Sequence, residues 1–310
     1  MSPGTIVITG ACGFIGAHCA NLFVREHWRV VGVDRRRPST ESTVRPVLDA
    51  FLLDELVAVD ALADLVARER PRALIHAAGP ASVEQSFRDP RGDFLAQVVP
   101  WTTVLEAVRR GSAQTRLVLC SSAAVYGAPG ALPIDESAAT RPISPYGFHK
   151  LVKEALLRQY VELHGLSGSA ARIFSTFGPG LDQLAVFDLA RKALRGDYTC
   201  EGTGRETRDY LFVEDVAAAL RTLAILAPGR GEAINVASGV ETEIADLARR
   251  IAAHLGKSHV RLSADGRTVA GKPERWRADV TRLAALGFAP SVSLSTGLAR
   301  TLDWIAEHAQ

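Results

Sequence analysis

The first apolar run of the chain, Ile6-Val7-Ile8, leads directly into Thr-Gly-Ala-Cys-Gly-Phe-Ile-Gly at residues 9–16. An apolar run that breaks on glycine and resumes as a helix predicts a buried strand, a tight turn and a helix laid back on that strand. In such a unit Gly10 permits the turn, Gly13 lets an anion approach the main chain, and Gly16 lets the helix pack closely. The N–H groups at the helix start, at Phe14 and Ile15, then face a pyrophosphate. Glycines alone would mark only an ordinary strand–helix turn. Here a second apolar run, Arg29-Val30-Val31-Gly32-Val33, ends on Asp34, 24 residues after Gly10. A carboxylate at that place accepts hydrogen bonds from a ribose 2′-hydroxyl. Strand, spacing and acid together predict a dinucleotide site.

The alternation continues through the first half. Apolar runs at 50–53, 73–78, 116–122 and 169–174 predict strands, and helical spacing covers 60–70, 93–110 and 146–163. Strands that alternate with helices give a doubly wound α/β fold, a parallel sheet covered on both faces. Ligands then bind beyond the carboxyl ends of the strands, so Gly10, Asp34, Gly79, Ser122 and Ser175 should line one crevice. After residue 175 the elements shorten, with helices near 183–195, 213–226 and 241–255 and a strand at 233–236. The expectation is a dinucleotide-binding domain over 1–172 to which the chain returns at about 209–238. Residues 173–208 and 239–310 would then form a smaller mixed α/β substrate domain.

Composition narrows the class. The 310 residues carry 47% hydrophobic and 23% charged residues, which argues against disorder. A formal net charge of +2 gives no reason to expect nucleic acid as a partner, and Arg35, Arg36 and Arg37 form a local cluster rather than a basic face. No apolar stretch is long enough to span a bilayer, and the first residues do not resemble a signal peptide. Cys12, Cys19, Cys120 and Cys200 have no metal-ligand spacing and suit a reduced compartment, so no metal is expected and the cytoplasm is the expected location.

Chemistry gathers at three residues. Ser122 ends a strand, and Tyr146 and Lys150 stand four apart at the start of a helix, on one face. A phenol ordinarily ionises at about 10. A neighbouring ammonium, helped by the positive ring of an oxidised nicotinamide, stabilises the phenolate and brings that value towards neutrality. The phenolate can then remove an alcohol proton while Ser122 holds the oxygen. Lys150 can also bind the nicotinamide ribose. His76, set among Ile75, Ala77 and Ala78, and Trp101 read as packed core residues, and His149 points away from the Tyr146–Lys150 face.

These residues carry a family resemblance over nearly the whole chain. Thr-Gly-Ala-Cys-Gly-Phe-Ile-Gly, His-Ala-Ala-Gly at 76–79, Ser-Ser-Ala-Ala-Val-Tyr-Gly at 121–127 and Ser-Pro-Tyr-Gly-Phe-His-Lys at 144–150 resemble the extended short-chain dehydrogenase/reductase family, in its nucleotide-sugar epimerase and dehydratase branch. Arg-Ile-Phe-Ser at 172–175, Phe-Gly-Pro-Gly at 177–180 and Gly-Thr-Gly-Arg-Glu-Thr-Arg-Asp-Tyr at 202–210 extend the match. The resemblance implies a Rossmann domain with a small C-terminal domain, NAD as cofactor, a UDP-, GDP- or dTDP-linked sugar as substrate, and a homodimer. It implies that Arg35, Asp54, Ala77, Ala78 and Gly79 join Gly10, Gly13, Phe14, Ile15, Gly16 and Asp34 around the cofactor. Ser82, Ser122, Ala123 and Ser175 would meet the sugar. Arg208 matches the arginine that contacts the diphosphate; the rival reading is an ion pair with Asp209 or Glu206. The place of a second phosphate arginine falls on Val269, leaving Arg267 or Arg275 as substitutes.

The dehydratases of this branch carry an Asp-Glu pair where this chain has Ala123 and Ala124. Without those carboxyl groups, elimination across the ring lacks its proton carriers. The expected reaction is therefore epimerisation at carbon 4 through a transient ketone. The runner-up is one-way reduction of a nucleotide-linked 4-ketosugar, usually with NADPH, and a third reading is a non-catalytic dinucleotide sensor. Ser175 and Gln97 stand where asparagines are frequent in these epimerases, which bears on the sugar rather than on the redox step.

Overall fold

Strand and helix alternate from the start of the computed structural model, which describes residues 3–38, 44–200, 202–258, 262–267, 271 and 273–308. The first half runs β1 (Thr5–Thr9), α1 (Phe14–Arg25), β2 (Arg29–Asp34), β3 (Ala50–Leu53), α2 (Asp60–Glu69), β4 (Ala73–His76), α3 (Val83–Arg88), α4 (Pro90–Gly111) and β5 (Arg116–Ser122). A 3₁₀ turn at Ala123–Tyr126 precedes α5 (Pro145–His164) and β6 (Ser167–Ile173). There follow β7 (Ser175–Phe177), α6 (Leu184–Arg195), β8 (Thr199–Cys200), β9 (Thr207–Phe212), α7 (Val213–Leu226), β10 (Arg230–Val236), β11 (Glu241–Glu243), α8 (Ile244–His254), β12 (Ser263–Ala264), α9 (Thr281–Ala285) and α10 (Leu294–His308).

Seven strands form one sheet in the order β10-β6-β5-β4-β1-β2-β3, parallel throughout. This is the doubly wound fold expected from the alternation. Its central strands must be apolar on both sides, because helices cover both faces. Ile6, Val7 and Ile8 are accordingly fully buried. Phe23, Leu220 and Leu223 from α1 and α7 cover one face; Leu62, Trp101, Leu105 and Leu157 from α2, α4 and α5 cover the other. The strand order reverses between β1 and β4, with Thr9 paired to His76 at the last register position. A reversal of this kind opens a crevice at the carboxyl ends of the two strands.

The second half builds a smaller mixed lobe. Its sheet has the order β11-β9-β7, with β7 parallel and β11 antiparallel to β9. Leu189, Leu247, Ile251, Leu302 and Ile305 from α6, α8 and α10 pack on Phe177 and Phe212. The chain returns to the large sheet through α7 and β10, whereas β9 stays with the small one. The helix expected over 241–255 begins only at Ile244, because residues 241–243 pair with β9. No described helix is long and apolar enough to cross a membrane. Among the described residues no His, Cys, Asp and Glu group could hold a metal ion, and all four cysteines are free thiols.

Candidate active site

The glycine turn between β1 and α1 is tighter than its sequence required. Gly10 has φ +72°, and a Cβ there would sit 2.7 Å from the Ala78 nitrogen. A Cβ on Gly16 would sit 2.0 Å from the Gly10 carbonyl oxygen, inside any contact distance. The end of β4 and the start of α1 thus press on the same turn, and only glycine fits. Gly13 precedes α1 without a side-chain cap, and the first turn holds no acid. The leading N–H groups, at Phe14 and Ile15, are therefore suited to a phosphate.

Asp34 stands buried beside this turn. Its Oδ2 accepts from the Cys12 N–H at 2.9 Å and its Oδ1 from the Arg36 N–H at 3.0 Å. Each oxygen keeps a lone pair for a hydroxyl donor, so the carboxylate can hold the glycine turn and a ribose together. Asp54, half-buried, accepts from the Leu56 N–H, while Arg35 is exposed. Ala77 and Ala78 are half-buried and Gly79 is exposed at φ +128°. Burial and hydrogen-bonding geometry on this side fit a dinucleotide of the NAD type.

Tyr146 and Lys150 lie in the first two turns of α5, 8% and 7% exposed. Ser144 caps the helix through the Gly147 N–H at 3.1 Å, and the Ser86 hydroxyl oxygen accepts the Tyr146 N–H at 3.1 Å. A Cβ on Gly147 would lie 2.6 Å from the Ala124 carbonyl oxygen. The start of α5 therefore lies directly against the turn that follows Ser122. The Lys150 ammonium donates to the Cys120 carbonyl at 3.1 Å and stands 5.3 Å from the centre of the Tyr146 ring. Ser122 is half-buried, and its Oγ accepts from the Ala124 N–H at 3.2 Å.

Beneath these three residues runs a buried polar network that the sequence reading did not anticipate. Arg172 in β6 donates to Glu154 in α5 from Nε at 3.1 Å and from Nη2 at 2.8 Å. The Ser121 hydroxyl donates to the same carboxylate at 2.6 Å. Arg172 also donates to the Tyr126 hydroxyl at 3.0 Å, which donates to Asn235 in β10 at 2.7 Å. Burial pushes the Tyr126 phenol up to about 12, which keeps that donor in place. A charged residue inside the apolar run 169–174 was the available signal, since buried charge demands a partner. The network fixes β5, α5, β6 and β10 relative to one another under the serine, tyrosine and lysine.

On the substrate side the outcome is mixed. Arg208 in β9 is half-buried, donates to the Thr207 carbonyl at 2.7 Å, and lies 5.5 Å from the Trp276 ring. The rival ion pairs do not form: Asp209 accepts instead from Ser238, Gly239 and Ala278, and Glu206 from Thr203 and Gly204. Among the described residues no carboxylate pairs with Arg208, which leaves its guanidinium edge available to an anion. Arg275 is engaged by Glu241 through Nε and Nη2, each at 2.8 Å. Arg267 is exposed, and Val269 lies outside the described residues. Ala123 is a correction: it is fully buried among Val125, Phe174 and Ala237 and offers no surface to a sugar. Ser82 caps α3 through the Gln85 N–H, and Ser175 opens β7 half-buried. His76 and Trp101 are fully buried with their rings 4.9 Å apart, as packed roles require, and His149 is half-buried and binds Asp93.

Comparison with known proteins places this geometry. Residues 6–237 match the model of the NAD dependent epimerase/dehydratase family. The chain is 32% identical to the UDP-glucose 4-epimerase of Mycolicibacterium smegmatis, over 98% of this chain and 99% of that one. It is 30% identical to the GDP-6-deoxy-D-mannose reductase of Pseudomonas aeruginosa, over 96% of each. The crystal structure of the UDP-glucose 4-epimerase of Brucella ovis in complex with NAD superposes with a TM-score of 0.85 at 29% identity, covering 96% of this chain and 97% of that one.

Proposed function

The chain belongs to the NAD dependent epimerase/dehydratase family, and from that premise we propose that it inverts carbon 4 of a UDP-, GDP- or dTDP-linked sugar. One observation carries the reading. The serine, tyrosine and lysine of a carbinol oxidation are intact, while Ala123 and Ala124 fill the places of the dehydratase acids. Gly10, Gly13, Phe14, Ile15, Gly16, Asp34, Arg35, Asp54 and Ala77 to Gly79 hold the cofactor. When bound, the cofactor would supply a reversible hydride acceptor for the carbinol carbon.

The protein's part is proton and position. Tyr146, as phenolate, removes the hydroxyl proton and later restores it. Lys150, anchored on the Cys120 carbonyl, supplies the positive charge that favours the phenolate. Ser122 holds the sugar oxygen, and Arg208 takes the diphosphate, a task suited to a planar guanidinium. Residues 1–172, with the return through α7 and β10, bind NAD, and the small lobe, β9 included, binds the nucleotide sugar. Phe94, Leu95, Phe148 and Val152, exposed on α4 and α5, support a homodimer, and four free thiols support a cytoplasmic protein.

Incubation with UDP-, GDP- and dTDP-sugars without added cofactor tests the reading. A 4-epimer from at least one of them is expected. Likeness to a GDP-6-deoxy-D-mannose reductase favours the second reading, a ketosugar reductase. Stoichiometric consumption of NADPH with a ketosugar, and no epimer from any alcohol, would establish that one instead.

A further inference from the structure

Residues 274–279 form a strap between the two lobes, and Trp276 sits half-buried at its middle. On the small-lobe side the Thr207 N–H donates to the Glu274 carbonyl at 3.0 Å, the Trp276 N–H to the Thr207 carbonyl at 3.2 Å and the Ala278 N–H to Asp209 at 3.1 Å. On the other side the Ile134 N–H donates to the Arg277 carbonyl and the Asp279 N–H to the Ile134 carbonyl, both at 2.8 Å. The indole packs on the cluster that holds Ala123, Tyr126 and Phe174, with the Phe174 ring centre 6.0 Å away. Its Nε1–H donates to the Gly127 carbonyl at 3.2 Å. Gly127 closes the 3₁₀ turn that starts directly after Ser122. A Cβ on Gly127 would collide with the Arg141 carbonyl oxygen, so this turn is pressed from its other side as well.

The same ring carries Arg208. The guanidinium lies 5.5 Å from the ring centre, and its Nη1 donates to the Thr207 carbonyl at 2.7 Å and to the Glu274 carbonyl at 3.4 Å. The Thr207 carbonyl thus takes both the Trp276 N–H and the Arg208 Nη1. Burial opposes the charge of Arg208, and the ring and the two carbonyls offset part of that cost. A guanidinium held by carbonyls on one edge and by an aromatic ring on one face has its remaining donors fixed in direction. That is the preorganisation a two-point bond to a phosphate needs.

We propose that Trp276 is a positioning residue: it holds the Arg208 guanidinium and the turn after Ser122 at one separation, so that a diphosphate gripped by Arg208 presents its sugar to Ser122 and Tyr146. The proposal rests on the roles of Arg208 and Ser122 in the reading above. Arg208 belongs to the small sheet and Ser122 to the large one, so neither sheet alone sets their spacing. The indole spans the gap with one N–H and one ring face. Tryptophan suits this task because it joins the strongest cation-binding face to a donor on the same rigid ring. Misplacement by about 1 Å at such a site costs on the order of 100-fold in rate. Trp276 moves no proton and acts through Arg208 and the turn.

The test titrates NAD-loaded protein with UDP, GDP and dTDP, reading affinity by calorimetry and tryptophan emission in parallel. At least one should bind the wild type and change its emission, and that change should vanish in Trp276→Phe although Trp28, Trp101 and Trp304 remain. An equal emission change in the two proteins would place the diphosphate away from the indole and overturn the proposal. Trp276→Leu removes the ring face and should weaken the bound nucleoside diphosphate about tenfold, as for a desolvated cation–π contact. In an Arg208→Ala background the same exchange should add less than about twofold, because the two residues act as one unit. A full further tenfold loss there would overturn the proposal. Trp276→Phe keeps a ring and loses the N–H, so affinity should return while kcat stays about tenfold low at near-normal KM. Recovery of kcat together with affinity would overturn the tie to the turn. Should Trp276→Leu not fold, Trp276→Phe decides by emission and by that split. If the wild type binds none of the three, Arg208 leaves the site and the proposal falls with it. If it binds one but turns over no nucleotide sugar, the epimerase reading fails, while the titrations still decide Trp276.

Discussion

Replacing Asp34 with Asn separates the two duties of that carboxylate. In the folded protein it accepts one N–H on each oxygen, from Cys12 and from Arg36. Asparagine keeps a single acceptor oxygen, and its amide group then meets the other N–H donor to donor. The loss is one charge-assisted hydrogen bond, about 1.5–3 kcal/mol, with a part-buried N–H left unpaired. The glycine turn stays tied by its second bond, so the protein should still fold but melt several degrees earlier. For NAD the lost acceptor converts to a weakening of roughly 10- to 150-fold. For NADP the arithmetic has a second part. A carboxylate about 4 Å from a 2′-phosphate is repelled by roughly 4 kcal/mol per charge pair at a surface-like dielectric constant, less in salt. Removing that repulsion offsets the lost hydrogen bond, so NADP should weaken little or gain. Titration of both cofactors at physiological salt, with urea unfolding in parallel, reads the two effects separately. Wild-type protein should prefer NAD, and the variant should lose most of that preference. Equal affinities in the wild type, or an unchanged ratio in Asp34→Asn, would refute the reasoning. Asp34→Ala is the poorer probe, because it frees both backbone donors and loosens the turn for either cofactor.

Three further outcomes follow from the same geometry. Tyr146→Phe should lower turnover by roughly 10²–10⁴ while leaving NAD affinity intact, since only a proton-transferring oxygen is removed; wild-type turnover would exclude Tyr146 as the base. Glu154→Ala strands the buried Arg172 guanidinium and should cost about 3–5 kcal/mol in denaturant unfolding; a loss below about 1 kcal/mol, as for exposed pairs, would show that the pair is not held in a dry interior. Arg208→Ala should raise the KM for the nucleotide sugar by about tenfold or more without moving NAD affinity, as loss of a charge-assisted contact of about 1.5–3 kcal/mol predicts; an unchanged KM would remove Arg208 from the diphosphate site.

Much of the Rossmann sheet was legible because its signal is local. A strand buried on both faces is a short apolar run, and Val30, Leu74 and Leu117 sit in such runs. The small lobe was less legible because its strands are defined by partners. β7 and β11 have three residues each, too few for a period, and exist only because β9 lies between them. The helix α10 is a different kind of miss. Leu298, Leu302 and Ile305 carry a helical spacing, and it follows an approach through Gly287 and Pro290 that reads as loop.

The site divides along a similar line. Ser122, Tyr146 and Lys150 are visible because their chemistry requires fixed residue types at fixed spacing. What holds them is not, because it is made of contacts between segments far apart in sequence. Glu154 and Arg172 look like an ordinary helix acid and a strand-end base until α5 and β6 pack and enclose both. Lys153 looks like one more solvated helix cation, three residues after a catalytic one. Only the packing of α4 and α5 encloses it, with the Trp101 N–H on its carbonyl. Arg275 shows the same thing in reverse: an arginine near the expected place for a phosphate meets Glu241, which β11 brings alongside. The reactive groups belong to the motif, and their charge states belong to the enclosure. Tyr146→Phe therefore tests the motif, whereas Glu154→Ala tests the enclosure that holds it.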